Sequence, residues 1–148
     1  MNRPLVRAAI CLIWRDGRVL VARRKPGAFL GGMSEFPGGK VEHCETAAEC
    51  AVREAKEEVG LDATLTGRWP DLVHDYPDRR VVLHPFDAAC PEGEAKGEVA
   101  WRRPQDLDDG DFPPATVPLL RALRSGQRPA PLEADSGGAP GLDGAAGR

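Results

Sequence analysis

The segment Gly39–Leu61, GKVEHCETAAECAVREAKEEVGL, decides how the rest of the chain is read. It predicts a helix from Glu45 or Thr46 to Val59, stopped at Gly60, whose missing Cβ suits a C-terminal cap. At about 100° per residue, Ala48, Ala51, Val52, Ala55 and Val59 share one stripe, while Glu54, Glu57 and Glu58 are read onto the opposite side. The stripe is built of small residues, which implies close packing on a sheet. The three glutamates stand at i, i+3 and i+4, where like charges repel by a few tenths of a kcal/mol, about 0.2–0.5 per pair. A solvated acidic face is one reading of them. A hard divalent cation, which prefers carboxylate oxygens and completes its shell with water and substrate phosphates, is the other.

Outward from this helix the chain reads as strands. Leu5–Trp14 and Arg18–Arg23 flank Asp16-Gly17, a hairpin turn signal. Residues 26–40 are rich in Gly and Pro and read as a structured loop rather than an element. Beyond Gly60, strands are expected over 61–69, 72–76, 79–87 and 98–102, then a second helix from Thr116, as N-cap, to Arg124. This order implies an α+β, layered α/β/α domain over residues 1–125. Residues 126–148 are Gly-, Pro- and Ala-rich, carry almost no large apolar side chain, and read as a disordered tail.

The chain has 148 residues, enough for one globular domain. A net charge of -3 argues against a protein that holds nucleic acid mainly by neutralising phosphates. No apolar run approaches the roughly 20 residues of a membrane span, and the N-terminus lacks a signal-peptide layout; a soluble, cytoplasmic monomer or homodimer is expected. Cys11, Cys44, Cys50 and Cys90 show neither C-x-x-C pairing nor zinc spacing, so free thiols are expected.

The positions Gly39, Glu45, Arg53-Glu54, Glu57-Glu58 and Gly60, with apolar Ala55 and Leu61, occupy every fixed place of one known motif. The segment resembles the box of the Nudix hydrolase superfamily. Seven such fixed residues coincide by chance on the order of 10⁻⁹ to 10⁻⁸ per start point, so the solvated-face reading loses ground. The resemblance implies a Nudix-type α/β/α sandwich with a mixed central sheet and a loop-helix-loop that binds Mg²⁺ or Mn²⁺. It implies metal binding at Gly38, Glu54, Glu57 and Glu58, with Glu54 favoured as general base. Arg53 is implied to orient a box glutamate by ion pairing, and Glu45 to join the same network. Glu98 or Glu94 is the ligand or base expected from outside the helix.

Arg23-Arg24, the run Glu35 to Glu42, Tyr76 to Arg79 and Asp111 to Ala115 resemble the MutT-like branch. That resemblance implies hydrolysis of a nucleoside triphosphate to monophosphate and pyrophosphate, as in sanitation of 8-oxo-dGTP from the nucleotide pool for DNA repair. Arg24, or Arg23, would contact phosphate or nucleotide. Phe36 and Tyr76 would wall the base, with Arg79 nearby. Two departures, Ser34 and Thr116, bear on the base: a Thr hydroxyl stands where an Asn amide would both donate and accept. CTP or dCTP therefore remains an alternative substrate. A non-catalytic module that recognises oxidised guanine is a second alternative, although such modules usually lose the box carboxylates.

Overall fold

The computed structural model describes residues 3–132. Its elements, in chain order, are β1 (Leu5–Arg15), β2 (Arg18–Arg23), β3 (Ser34–Glu35), β4 (Gly38–Lys40), α1 (Ala47–Val59), β5 (Thr64–Arg68), β6 (Leu72–Tyr76), β7 (Arg79–Ala89), β8 (Val99–Arg102), α2 (Val117–Arg124) and β9 (Ala130–Pro131). The β1–β2 turn places both Asp16 (φ 53°) and Gly17 (φ 76°) in the left-handed region, as a tight hairpin turn with two positive φ angles requires. Residues 26–40 differ from the expected loop. Ser34–Glu35 pairs with β2 and Gly38–Lys40 pairs with β1. These strands are too short to show a period in sequence, and existing sheet neighbours define them.

The sheet is mixed. β1 and β7 run parallel from Leu5↔Arg80 to Trp14↔Ala89, and β5 and β6 lie antiparallel on the far side of β7. β3 and β8 pair with β2, and β9 with β5. Alternation along the strands sorts side chains into two cores. Ala9, Cys11, Ile13, Leu20, Phe86 and Ala88 pack with α1 on one face. Ile10, Leu12, Val19, Val21 and Leu83 pack with Leu119, Leu120 and Leu123 of α2 on the other. The α/β/α sandwich expected from sequence is the fold observed. Among the described residues no helix is long and apolar enough to cross a membrane.

Helix α1 begins on a full capping box: the Thr46 side chain accepts from Glu49 N–H, and the Glu49 carboxylate accepts from Thr46 N–H. It ends on Gly60 at φ 75°. Its buried residues are Cys50, Ala51, Ala55 and Val59, whereas Val52, placed in the apolar stripe by sequence, is 38% exposed. The buried arc is thus wider on the Cys50 side. At about 100° per residue, Glu54 and Glu58 fall inside that arc, between Cys50 and Ala51, rather than opposite it. Glu57 falls just outside the arc, about 20° beyond Cys50, and is 59% exposed.

Two further expectations are corrected. Thr116 stands at the N-cap of α2 as expected, but its side chain makes no cap hydrogen bond: it ends a 3-10 turn, Pro114–Thr116, that leads directly into the helix, and it is buried. Residues 126–132, read as the start of the tail, contain β9, and Leu132 packs against the α1-side core. An open edge of β5 gives this proline-containing segment a partner that its composition does not announce. The remainder of the tail reading lies outside the described residues.

Candidate active site

Strand β4 is the seat of the site because two of its residues lack side chains. A Cβ on Gly38 would strike Ala9 O and Ile10 of β1, and a Cβ on Gly39 would strike the Glu54 carboxyl. The missing side chain of Gly39 leaves room for Glu54 of α1, while that of Gly38 lets β4 lie close against β1. Glu54, 15% exposed, lies against Gly39, and Glu58 Oε1 accepts from Gly38 N–H at 3.2 Å. Acidic groups turned into a buried arc carry a desolvation cost, which only hydrogen bonds, counter-charges or a ligand can offset.

Arg53 supplies part of that compensation. Its guanidinium donates to both oxygens of Glu45 (2.6 and 3.0 Å), to Glu54 (2.9 Å) and to Glu57 (3.0 Å), and to the carbonyl of Lys40 (3.3 Å). This fork joins the N-terminal loop of α1, the helix itself and β4 into one rigid unit. Hydrogen bonds from Arg53 hold the Glu45 carboxyl below the ordinary range. The other carboxyls move the opposite way. Removal from water raises Glu54 despite Arg53, and raises Glu35 despite its 2.8 Å ion pair with Arg24. Glu58 is exposed as a residue, but its carboxyl end turns inward. Loss of water first, then the charges of Glu35 and Glu54, push it up to about 7.

Two concavities meet here. The first, about 380 Å³, is largely apolar and is lined by Ile10, Phe29, Phe36, Tyr76, Leu83 and Thr116, with Arg24 and Arg79 among its polar residues. The second, about 670 Å³, is polar and holds Glu54, Glu57 and Glu58 opposite Arg23, Lys25 and Lys96. Arg24, Glu35, Gly38 and Gly39 line both, so the apolar pocket opens into the charged cleft over the glycine strand.

The residues expected from sequence fall into this arrangement unevenly. Phe36, Tyr76, Arg24, Arg79 and Thr116 line the apolar pocket, and Arg23, Gly38, Glu54, Glu57, Glu58 and Glu98 line the cleft. Arg53 and Glu45 line neither and stand behind the glutamates. Of the two alternatives in the loop before β8, Glu98 reaches the cleft and Glu94 does not; Glu98 is 76% exposed and ion-paired to Arg23 at 2.8 Å. Tyr76 is fixed by accepting Ala115 N–H at its hydroxyl (3.2 Å), and Phe29 meets it edge-on. Arg79 lies 4.0 Å over the Phe29 ring. Phe29, Glu35, Lys25 and Lys96 have no role in the sequence reading. They sit in Gly- and Pro-rich loops or a two-residue strand, where no period marks a side chain's direction.

The donor set of the cleft suits a hard cation: its candidate ligands are carboxylate oxygens, and burial first, then neighbouring carboxylates, draw Glu54 and Glu58 toward their protonated forms. Among the described residues no three acidic, His or Cys side chains already converge as a closed ligand cage. Such an arrangement fits a cation that draws on carboxylates of the cleft and completes its shell with water and substrate oxygens.

The layered fold, the glycine strand and the arginine-braced glutamate helix define a nucleotide-hydrolase type of site, and the family follows from comparison. The family model for the NUDIX domain matches residues 9–122, and the chain belongs to that family. Over 113 residues it is 33% identical to an 8-oxo-dGTP diphosphatase of Escherichia coli (strain K12), covering 74% of this chain and 88% of that protein. It is 30% identical to a CTP pyrophosphohydrolase of the same organism, covering 80% and 91%. The crystal structure of a MutT protein from Methanosarcina mazei Go1 superimposes with a TM-score of 0.76 at 20% identity, over 86% of this chain and 99% of that one, and shares the fold.

Proposed function

We propose that this chain hydrolyses nucleoside or deoxynucleoside triphosphates to the monophosphate and pyrophosphate, with an 8-oxo-dGTP type of substrate. The observation that carries this reading is the continuity of the apolar pocket with the carboxylate cleft across Gly38 and Gly39. A base enclosed by Phe36, Tyr76 and Thr116 directs its phosphates into the cleft. Glu54, Glu57 and Glu58, with Gly38 nearby, would hold a divalent cation, Mg²⁺ with Mn²⁺ as a substitute, which would supply neutralisation of phosphate charge and activation of water.

The chain's own groups account for the remainder of the chemistry. Arg24, which lines both concavities, or alternatively Arg23 in the cleft, binds phosphate oxygens. Glu54 accepts the proton of the attacking water as the new P–O bond forms and the anhydride P–O bond breaks, with pyrophosphate as the leaving product. Its partial burial suits that role, since a carboxyl drawn toward its protonated form is a better proton acceptor than a free one. Arg53 fixes Glu54 by one oxygen, and Glu98 stands ready as a further carboxylate at the cleft mouth.

CTP or dCTP hydrolysis is the second reading, favoured by one observation. Thr116, buried in the apolar pocket, offers a single hydroxyl to a base edge. A panel assay of pyrophosphate release with Mg²⁺, using canonical and 8-oxo purine and pyrimidine triphosphates, tests both. The first reading requires a higher kcat/KM for 8-oxo-dGTP than for dGTP and CTP. No turnover of any triphosphate rejects both and leaves a non-catalytic recognition module.

A further inference from the structure

Four basic side chains line the cleft, and two of them are ion-paired. Among the described residues Arg23 is matched by Glu98 and Arg24 by Glu35, while Lys25 and Lys96 line the cleft without an ion-pair partner. Of these two, Lys96 is held in place. Its backbone N–H donates to Val59 O at the end of α1 (2.9 Å), and its methylene stem lies over Gly60, with Cγ, Cδ and Cε 3.0–3.3 Å from the position a Cβ would take. The last glycine of the box therefore does more than cap the helix: a Cβ there would press on the lysine stem and require it to shift by a few tenths of an ångström.

The loop that carries Lys96 is fastened from outside the cleft. Arg15 of β1 donates to the carbonyls of Cys90, Glu92 and Gly93 (2.8, 2.9 and 2.8 Å), and its guanidinium lies 4.7 Å over the Trp101 ring. Both ends of the segment between β7 and β8 are thus tied to one residue of the central sheet. Lys96 lines the charged cleft and not the apolar pocket that would take a base.

We infer that Lys96 is a phosphate-binding residue, contacting the β and γ phosphates that leave as pyrophosphate, in a position set by Gly60 and by the Arg15-anchored loop. This rests on reading the cleft as a triphosphate site. An unpaired ammonium opposite carboxylates is otherwise explained only as a favourable charge at the C-terminal end of α1. That alternative predicts a change in stability and none in ligand affinity.

The test is calorimetric titration of the full chain, in Mg²⁺, with α,β-methylene-dGTP and separately with dGMP. Wild type, Lys96→Gln and Lys96→Arg are compared, with Tm recorded for each. Removing a charged partner from a phosphate contact is expected to weaken the triphosphate analogue by about ten-fold or more. Binding of dGMP is expected to stay unchanged, and Lys96→Arg to restore most of the loss. Unchanged affinity of Lys96→Gln for the triphosphate analogue, whatever its Tm, overturns the proposal, as does an equal loss for both ligands. A wild type that binds dGMP but not the triphosphate analogue refutes the triphosphate reading itself, and the role of Lys96 falls with it.

Discussion

Arg53 holds the carboxyls of Glu45, Glu54 and Glu57 through one planar group, and Glu42 lies 3.9 Å from it. A lysine keeps the charge but loses the fork, so Arg53→Lys should leave the far-ultraviolet circular dichroism unchanged while lowering kcat by about 10- to 100-fold, the cost typical of misplaced outer-shell partners. Full turnover in that variant would show that the glutamates orient themselves. At Thr116 the expectation concerns selectivity. Thr116→Asn adds a second hydrogen-bonding atom to the base pocket and should raise the kcat/KM ratio of 8-oxo-dGTP over dGTP by roughly ten-fold, the worth of one buried hydrogen bond. A flat ratio in a folded, active variant would remove Thr116 from the base edge. The box residues were legible because charge, spacing and glycine placement are fixed along one helix. Glu35 and Lys96 were not: Glu35 enters the cleft through a two-residue strand, and Lys96 through a loop whose path Arg15 determines from a distant strand.

At the scale of elements, α1 was readable almost to the residue from its apolar spacing and from Gly60 at its end, and the Thr46–Glu49 box found in the structure fixes its start. Its orientation was not. A helical projection of apolar residues cannot know that the facing strand is Gly38–Gly39, where the bare Gly39 admits Glu54 and the Gly38 N–H donates to Glu58. The same limit applies to β3, β4 and β9, whose existence depends on partners rather than on their own composition. The capping box yields a direct stability test. Thr46→Ala should cost about 1 kcal/mol in urea unfolding, with the slope unchanged. Because the cap sits beside Glu45, a loss of turnover larger than the loss of folded protein would show that the cap also sets the site.

For the whole molecule, the carboxylate cluster links stability to pH and to metal. Glu58 rises from an ordinary 4.5 to about 7 in the folded chain, so between these values the folded state binds more proton than the unfolded one. Its contribution therefore makes stability fall as pH rises from about 4.5 to 7, the reverse of a salt-bridged carboxylate. A divalent cation takes the deprotonated form, so the rise in Tm on adding Mg²⁺ should be larger near pH 8 than near pH 5.5. An equal rise at both values would place the cation elsewhere. The C-terminal end separates in the same way: removing 133–148, which offers little apolar surface by composition, should leave Tm unchanged, whereas removal from Gln127 also deletes β9 and Leu132 and should lower it. The central claim is that pocket and cleft act as one triphosphate-cleaving site. It is tested most directly by ³¹P NMR of the products formed from 8-oxo-dGTP in Mg²⁺ by the wild type and Glu57→Gln. The account predicts one monophosphate and one pyrophosphate per substrate, with the rate in the folded variant reduced by orders of magnitude. Release of orthophosphate, or undiminished turnover by Glu57→Gln, would contradict it.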